Sequence, residues 1–228
     1  MTLQTISVEV SARRIATVTL NRPERGNGRH FCTGADLAAR GADTKAIVEQ
    51  PAKAPATLRD VLVALDTLPK PTVAVVHGGA VGGGAAFAAC CDVAIATATA
   101  FFSIPEVRVG MAPMGVMPFL IRAIGHRSFR RYGLSGERIA PADALRIGLV
   151  HQVCDAATLD DTLARIADEL LHSAPDATAE LKAAAAQFAS PTLAAVLAHR
   201  PAHNPKTPEA LEGIASFREK RKPGWYPQ

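Results

Sequence analysis

The sequence predicts an α/β protein with a helical C-terminal tail, and three observations carry that expectation. An apolar, β-branched run, Thr72-Val73-Ala74-Val75-Val76, leads through His77-Gly78-Gly79-Ala80-Val81-Gly82-Gly83-Gly84 into small residues ending at Cys91. That order reads as a strand, a tight glycine turn and a helix opening on Gly83 or Gly84. Two further apolar strands follow at 92–97 and 101–103. From Leu159 onward the pattern turns helical, with predicted helices over 159–172, 176–188 and 207–220.

The other elements follow in chain order. Residues 5–10 and 15–20 alternate apolar and polar around Ser11-Ala12-Arg13-Arg14, which predicts a β-hairpin. A loop, Asn21-Arg22-Pro23-Glu24-Arg25-Gly26-Asn27, comes next, then a helix starting at 34–40. Residues 41–56, with Gly41, Pro51 and Pro55, read as a loop. Thr57 caps a helix with Leu58, Val61, Leu62, Leu65 and Leu68 on one face, and Pro69-Lys70-Pro71 ends it. Short helices are predicted at 118–124 and 127–134. Another starts at Pro141 before a strand over 149–153. A His199-Arg200-Pro201-Ala202-His203-Asn204-Pro205 linker separates the last two helices.

Composition excludes several classes. The 228 residues, 48% hydrophobic and 20% charged, suit a globular chain with a sizeable core. No apolar run reaches the ~18 residues of a membrane span. The start, Met1-Thr2-Leu3-Gln4-Thr5, lacks the basic and apolar regions of a signal peptide. Cys32, Cys90, Cys91 and Cys154 have no Cys-x-x-Cys spacing and read as free thiols in a reducing, cytoplasmic setting. The net charge of +4 is spread without zinc-finger or RNP-like motifs, so no nucleic-acid partner is expected. Among seven histidines only His199 and His203 have helical ligand spacing, and Pro201 lies between them, so no metal is expected. Gly-x-Gly-x-x-Gly and Gly-x-Ser-x-Gly are both absent.

The glycine turn carries the chemistry. A helix start presents unpaired amides and the positive end of the helix dipole. It can hold a phosphate, or an oxygen that gains charge during reaction. Close packing of helix on strand is the plainer reading of a lone glycine run. A second stretch, Phe31-Cys32-Thr33-Gly34-Ala35-Asp36-Leu37, weighs against it. In this order the two stretches resemble the crotonase (enoyl-CoA hydratase/isomerase) superfamily, a similarity that runs from Ile15 to Pro223. The resemblance implies a ββα-repeat core over 1–156 with a CoA-thioester site, and a helical oligomerisation region over 157–228. It implies an oxyanion hole made by the backbone N–H groups of Ala35 and Gly83. Gly34, Asp36, Gly82, Gly84, Ala86 and Met114 are the implied substrate-binding positions. An acyl-CoA thioester is the implied partner, in a homotrimer or homohexamer, and no cofactor is implied beyond the CoA of the substrate.

The chain departs from the family in two places. After Asn27 a segment of about 30 residues, the size of one strand–helix–strand unit, is missing before Phe31. The ten residues 21–30 are too few for a parallel crossover, so one strand–helix unit of the core is expected to be absent. The family's two-glutamate hydratases place their first acid at the position of Ala86, and alanine moves no proton. Their second falls on Glu106, in Pro105-Glu106-Val107, where Ile104, Val107 and Val109 should raise its pKa. An exposed Glu106 paired with Arg108 is the plainer alternative. One carboxylate leaves two enzymatic readings open, a double-bond isomerase or a single-Glu hydratase of branched or glutaconyl-type substrates. Gly110-Met111-Ala112-Pro113-Met114-Gly115-Val116-Met117-Pro118, with Cys90-Cys91-Asp92, resembles the single-Glu subset and favours hydration. A catalytically impaired acyl-CoA-binding protein is the reading from another class.

Overall fold

The structure is a computed structural model, and it describes residues 6–20, 29–34, 57–188 and 208–221. The expected 21–27 loop, the bulk of the 34–40 helix, the 41–56 loop and the 199–205 linker lie outside those residues.

Alternation near the N-terminus produces the predicted hairpin, β1 (Ile6–Val10) and β2 (Ala16–Leu20). Ile6 stands opposite Leu20, Val8 opposite Val18 and Val10 opposite Ala16, so one face is wholly apolar. A two-stranded ribbon cannot cover its own face, and Val8, Val10 and Val18 are exposed. Arg14 takes a positive φ of 61° in the turn, where its N–H donates to the Ser11 carbonyl at 2.9 Å.

Thr57 caps α1 (Leu58–Asp66) as predicted. Its Oγ1 accepts from the Asp60 N–H at 3.3 Å, while the Asp60 carboxylate accepts from the Thr57 N–H at 2.9 Å. This reciprocal pair satisfies two helix-start donors. The expected apolar face is only partly buried. Leu62 is fully enclosed, Val63 and Leu65 pack on the core, and Leu58, Val61 and Leu68 are exposed.

Two small sheets follow. β3 (Val73–Val76), β5 (Val93–Thr97) and β8 (Gln152–Cys154) form a parallel sheet in the order β3-β5-β8. β4 (Gly79–Val81), β6 (Phe101–Ser103) and β7 (Arg138–Ile139) form the second, with β4 parallel and β7 antiparallel to β6. The stretch expected to be a turn therefore contains a strand. After β3 the chain turns at Gly78 (φ 58°), runs through β4, and turns again at Gly82 (φ 55°). Cys32 forms a parallel bridge with Ala80, which sets 31–32 on the outer side of β4. Among the described residues β3 is paired on one side only.

α2 (Gly83–Cys90) follows directly and is apolar on every side, as a helix must be when it is enclosed all round. It packs on α1, β3, β4 and the long helix α3 (Met117–Ser135). The core gathers Ala85, Ala86 and Ala88 of α2 with Val76, Phe102, Phe119, Leu120 and Tyr132. The two short helices predicted near 118–134 are the halves of α3. They meet at Gly125, whose φ of 72° and ψ of 160° break the helix at a conformation that favours glycine. α4 (Pro141–Arg146) has proline in its first turn. The strand predicted over 149–153 starts later. Leu149 and Val150 turn into the core with their N–H groups on the Ala144 carbonyl, and the ladder begins where Gln152 meets Ile95.

Among the described residues the tail contains α5 (Leu159–Leu171), α6 (Pro175–Phe188) and α7 (Pro208–Glu219). Lys182 of α6 reaches the core, donating to Asp92 at 2.6 Å and to the Lys70 carbonyl at 2.8 Å. α7 packs on a 3-10 turn, Glu106–Val109. Gly84 approaches the Cys32 backbone so closely that an added Cβ would overlap the Cys32 carbonyl oxygen. Gly84→Ala should therefore cost about 1–3 kcal/mol through overpacking. A urea melt should show the midpoint lowered at unchanged slope.

Candidate active site

The three glycines at the start of α2 each meet a different neighbour. Gly82 is the N-cap; its N–H donates to the Ser103 carbonyl at 2.9 Å and its carbonyl accepts from the Ala86 N–H at 3.1 Å. A Cβ on Gly83 would lie 2.7 Å from Leu58 Cδ2 of α1, and Gly84 abuts the Cys32 peptide. No side chain caps this helix and its first turn holds no acid. The Gly83 N–H has no acceptor among the described residues. Such a bare helix start is a donor site for an electron-rich oxygen.

Glu106 opens the 3-10 turn behind Pro105. Its carboxylate lies against Gly82: an added Cβ there would overlap Oε1 and sit 3.3 Å from Cδ. Glycine is thus required at 82 both by its positive φ and by the acid beside it. Oε2 is buried and has no hydrogen-bond partner among the described residues. Burial raises the Glu106 pKa above the ordinary carboxylate range, opposed in part by a hydrogen bond from its own N–H. Arg108, the alternative partner, turns the other way. Its Nε and Nη2 both donate to the Ser135 carbonyl, at 3.1 and 3.0 Å. A buried carboxylate oxygen left unpaired is costly, and such groups concentrate at functional sites.

The stretch from Phe31 runs alongside β4, joined to it by the bridge between Cys32 and Ala80. The Phe31 N–H donates to the His77 carbonyl at 2.9 Å, Cys32 N–H to Gly79 at 3.1 Å, and Val81 N–H to Cys32 at 2.8 Å. This ladder brings Gly34 (φ 87°) close to Val81, where an added Cβ would be 3.1 Å from the Val81 oxygen. Gly34, Gly82, Gly83, Gly84 and Glu106 thus gather around the start of α2. Ala35 and Asp36 lie outside the described residues. Ala86 is fully buried one turn into α2 and brings no proton-moving group to the site. Met114 is half-buried in the loop before α3, its N–H donating to the Ala112 carbonyl at 2.8 Å.

Sequence reasoning passed over three neighbours of the site. Leu58, on the apolar face of α1, is exposed and leans on Gly83. His30 Nδ1 accepts from the Gly79 N–H at 2.9 Å, its ring edge-on to Phe101 at 5.9 Å. It pins the incoming strand to β4, a role that no local pattern signals. Cys32 supplies the peptide against Gly84. All four cysteines are free. Burial raises the Cys32 and Cys90 thiols and pushes Cys91 up to about 11, so these three are poor nucleophiles at neutral pH. No cluster of metal-ligating side chains occurs among the described residues, and no helix among them is long and apolar enough to cross a membrane. A basic surface groove on α3, lined by His126, Arg127, Arg130 and Arg131, includes none of the site residues.

The sequence model of the enoyl-CoA hydratase/isomerase family matches residues 24–228. The chain belongs to that family. It is 33% identical over 180 residues to "Enoyl-CoA hydratase ACTT6" of Alternaria alternata, a match covering 78% of this chain and 56% of that protein. The chain therefore spans little more than half the length of this relative. It is 32% identical over 206 residues to "Enoyl-CoA isomerase/hydratase fer4" of Mycosarcoma maydis, covering 87% of this chain and 73% of the relative. Among solved structures it resembles an enoyl-CoA hydratase from Mycobacterium avium subsp. paratuberculosis, with a TM-score of 0.83 at 25% identity over 99% of this chain and all of the other. The crotonase fold inferred from the glycine stretches is thus the fold of this chain.

The raised pKa of Glu106 has a stability consequence with a definite sign. The folded state holds this proton more tightly than the unfolded chain. Stability should therefore fall as pH rises from the ordinary glutamate range through the raised value, and level off above it. Glu106→Gln removes that slope and should melt above wild type at neutral pH. Melting temperatures of both proteins from pH 4 to pH 8 test this; parallel curves would show that Glu106 is not strained by burial.

Proposed function

We propose that this protein hydrates a 2-enoyl-CoA thioester, of branched or glutaconyl type, with Glu106 as its only proton-moving carboxylate. The observation that carries the reading is the unpartnered, buried Oε2 of Glu106 beside the bare start of α2. In this reading the N–H groups of Ala35 and Gly83 receive the thioester oxygen. Glu106 takes a proton from water as the water oxygen bonds to C3. The C2=C3 electron pair moves toward C1, and the charge settles on the oxygen facing the two amides. Glu106 then returns the proton to C2, completing the addition of water. Fixed donors favour this path because they meet the charge only as it develops. A carboxylate with a raised pKa suits both halves of the transfer. Gly34, Gly82 and Gly84 let the backbone approach the thioester, while Asp36, Ala86 and Met114 would line the acyl chain. No cofactor is needed beyond the CoA of the substrate. The assembly we propose is a homotrimer or homohexamer in the cytoplasm.

Ala86 favours a second reading. With one acid, Glu106 can instead remove a proton from C2 of a 3-enoyl thioester and return it to C4, which is isomerisation. The fer4 relative is named for both reactions. Mass spectrometry of products from a panel of 2- and 3-enoyl-CoAs separates them: a gain of one water marks hydration, and an unchanged mass with altered retention marks isomerisation. Binding without turnover would instead mark an impaired acyl-CoA-binding protein.

Two substitutions test the assigned roles. Glu106→Gln should lower turnover by ~10²–10⁴-fold, the usual contribution of a general acid or base. Wild-type turnover in this variant would remove Glu106 from the chemistry. Gly83→Pro deletes the amide at a helix position that tolerates proline. Gly83→Ala crowds Leu58 in the same way but keeps the donor. The proline variant should be slower than the alanine variant by ~10²–10³-fold in kcat, the effect of one lost oxyanion donor. Equal rates would place the oxygen elsewhere.

A further inference from the structure

The 3-10 turn that carries Glu106 has little to hold it from within. It is four residues long and none of them is fully buried. Isolated single turns do not persist in water, so its position must be set by what packs on it. One support is the double hydrogen bond from Arg108 to the Ser135 carbonyl, at the end of α3. The other comes from the C-terminal tail. Gly213, in the middle of α7, lies directly on the backbone of Val109, the last residue of the turn. A Cβ at 213 would stand 2.6 Å from Val109 Cα and overlap its carbonyl group. The neighbouring Ile214 and Ser216 are 3% and 2% exposed, so this face of α7 is packed down rather than resting on the surface. The Ser216 hydroxyl closes back on the Gly213 carbonyl at 3.0 Å. Beyond Val109 the chain leaves through Gly110 (φ 71°), whose N–H bonds the Val107 carbonyl at 3.2 Å. The Met111 N–H bonds the Glu106 carbonyl at 3.0 Å.

We propose that Gly213 is a positioning residue: through backbone-to-backbone contact with Val109, α7 holds the 3-10 turn at the height that keeps the Glu106 carboxylate against Gly82. The proposal rests on the reading of Glu106 as the proton-moving group. A side chain at 213 would push α7 away from the turn, or push the turn toward α2. Either shift moves the carboxylate relative to the bare amide of Gly83. Displacements of about 1 Å at such groups can cost 10²-fold in rate. Substrate contacts made by the glycine backbone would stay in place, so the loss belongs to kcat.

The test is steady-state kinetics of Gly213→Ala on the enoyl-CoA that wild type turns over, with amide hydrogen exchange at Gly110 and Met111. Alanine is a better helix former than glycine, so α7 itself is not weakened. We expect kcat to fall ~10- to 100-fold, KM to stay within about twofold, and exchange at both amides to quicken. Gly133→Ala is the matched control: it makes the same change inside α3, where the nearest atom to the new Cβ is an ordinary 3.4 Å away on Phe129. It should leave kcat and KM at wild-type values. Should Gly213→Ala not fold, Ile214→Ala loosens the same helix without overpacking, and the same split is expected. Wild-type kcat in whichever variant folds overturns the proposal, whatever the exchange shows. A parallel fall in kcat and rise in KM overturns it too, since general unfolding of the site would do that. Glu106→Gln run alongside separates the two failures: wild-type turnover there removes the role of Glu106, whereas an inactive Glu106→Gln with a fully active Gly213→Ala removes only the clamp.

Discussion

The structure depends on how closely three neighbouring groups, one of them backbone and two of them side chains, approach the start of α2. The Cys32 peptide lies against Gly84, the Glu106 carboxylate against Gly82, and Leu58 against Gly83. Side chains on the helix at these points would drive these groups away. Their absence permits a dense core, and the Gly83 N–H, unpaired as at any helix start, has no acceptor among the described residues. A helix capped by Ser or Asp would be more stable locally, but its donors would be occupied.

Glu106 shows the cost of that arrangement. Burial without a partner for Oε2 works against the ionised form. Its cationic neighbour in sequence, Arg108, is engaged with the Ser135 carbonyl instead. That choice joins the end of α3 to the turn bearing the acid, so the arginine contributes geometry rather than charge. Had Arg108 paired with Glu106, the acid would be stabilised as a carboxylate and less able to hold a proton.

The tail helices join the core by contacts of different kinds. α6 is fastened through Lys182, whose ammonium meets Asp92 while Asp92 also accepts from the Thr72 N–H and hydroxyl at 2.8 Å each. This ties the tail to the foot of β3 and the exit of α2. α7 meets the Glu106 turn by close backbone contact at Gly213, which the lack of a side chain there allows. A charged tether tolerates small displacements, whereas backbone contact does not. The second kind is the one found beside the acid.

Local pattern alone made several features legible. Alternation specified the hairpin, the Thr57 cap and the following leucines specified α1, and the order of strand, glycines and alanines placed the start of α2 at Gly83 or Gly84, the first of which is observed. These are decided by neighbours in sequence, through hydrogen bonds and periodicity. The family was legible as well, because Gly34 and the glycine run keep recognisable spacing. Other features were decided only by tertiary structure. β4 looked like part of a turn because its pairing with β6 and Cys32 is non-local. The two helices expected over 118–134 are present as halves broken at Gly125, and only tertiary packing shows that both press on one core. Leu149 and Val150 carry strand propensity yet enter the core before the ladder begins, because Ala144 accepts both N–H groups. Nor could sequence show that Arg108 faces away from Glu106, or that Gly213 touches Val109 from more than a hundred residues away. Contacts of that range are set by the sum of packing, and no window along the chain contains them.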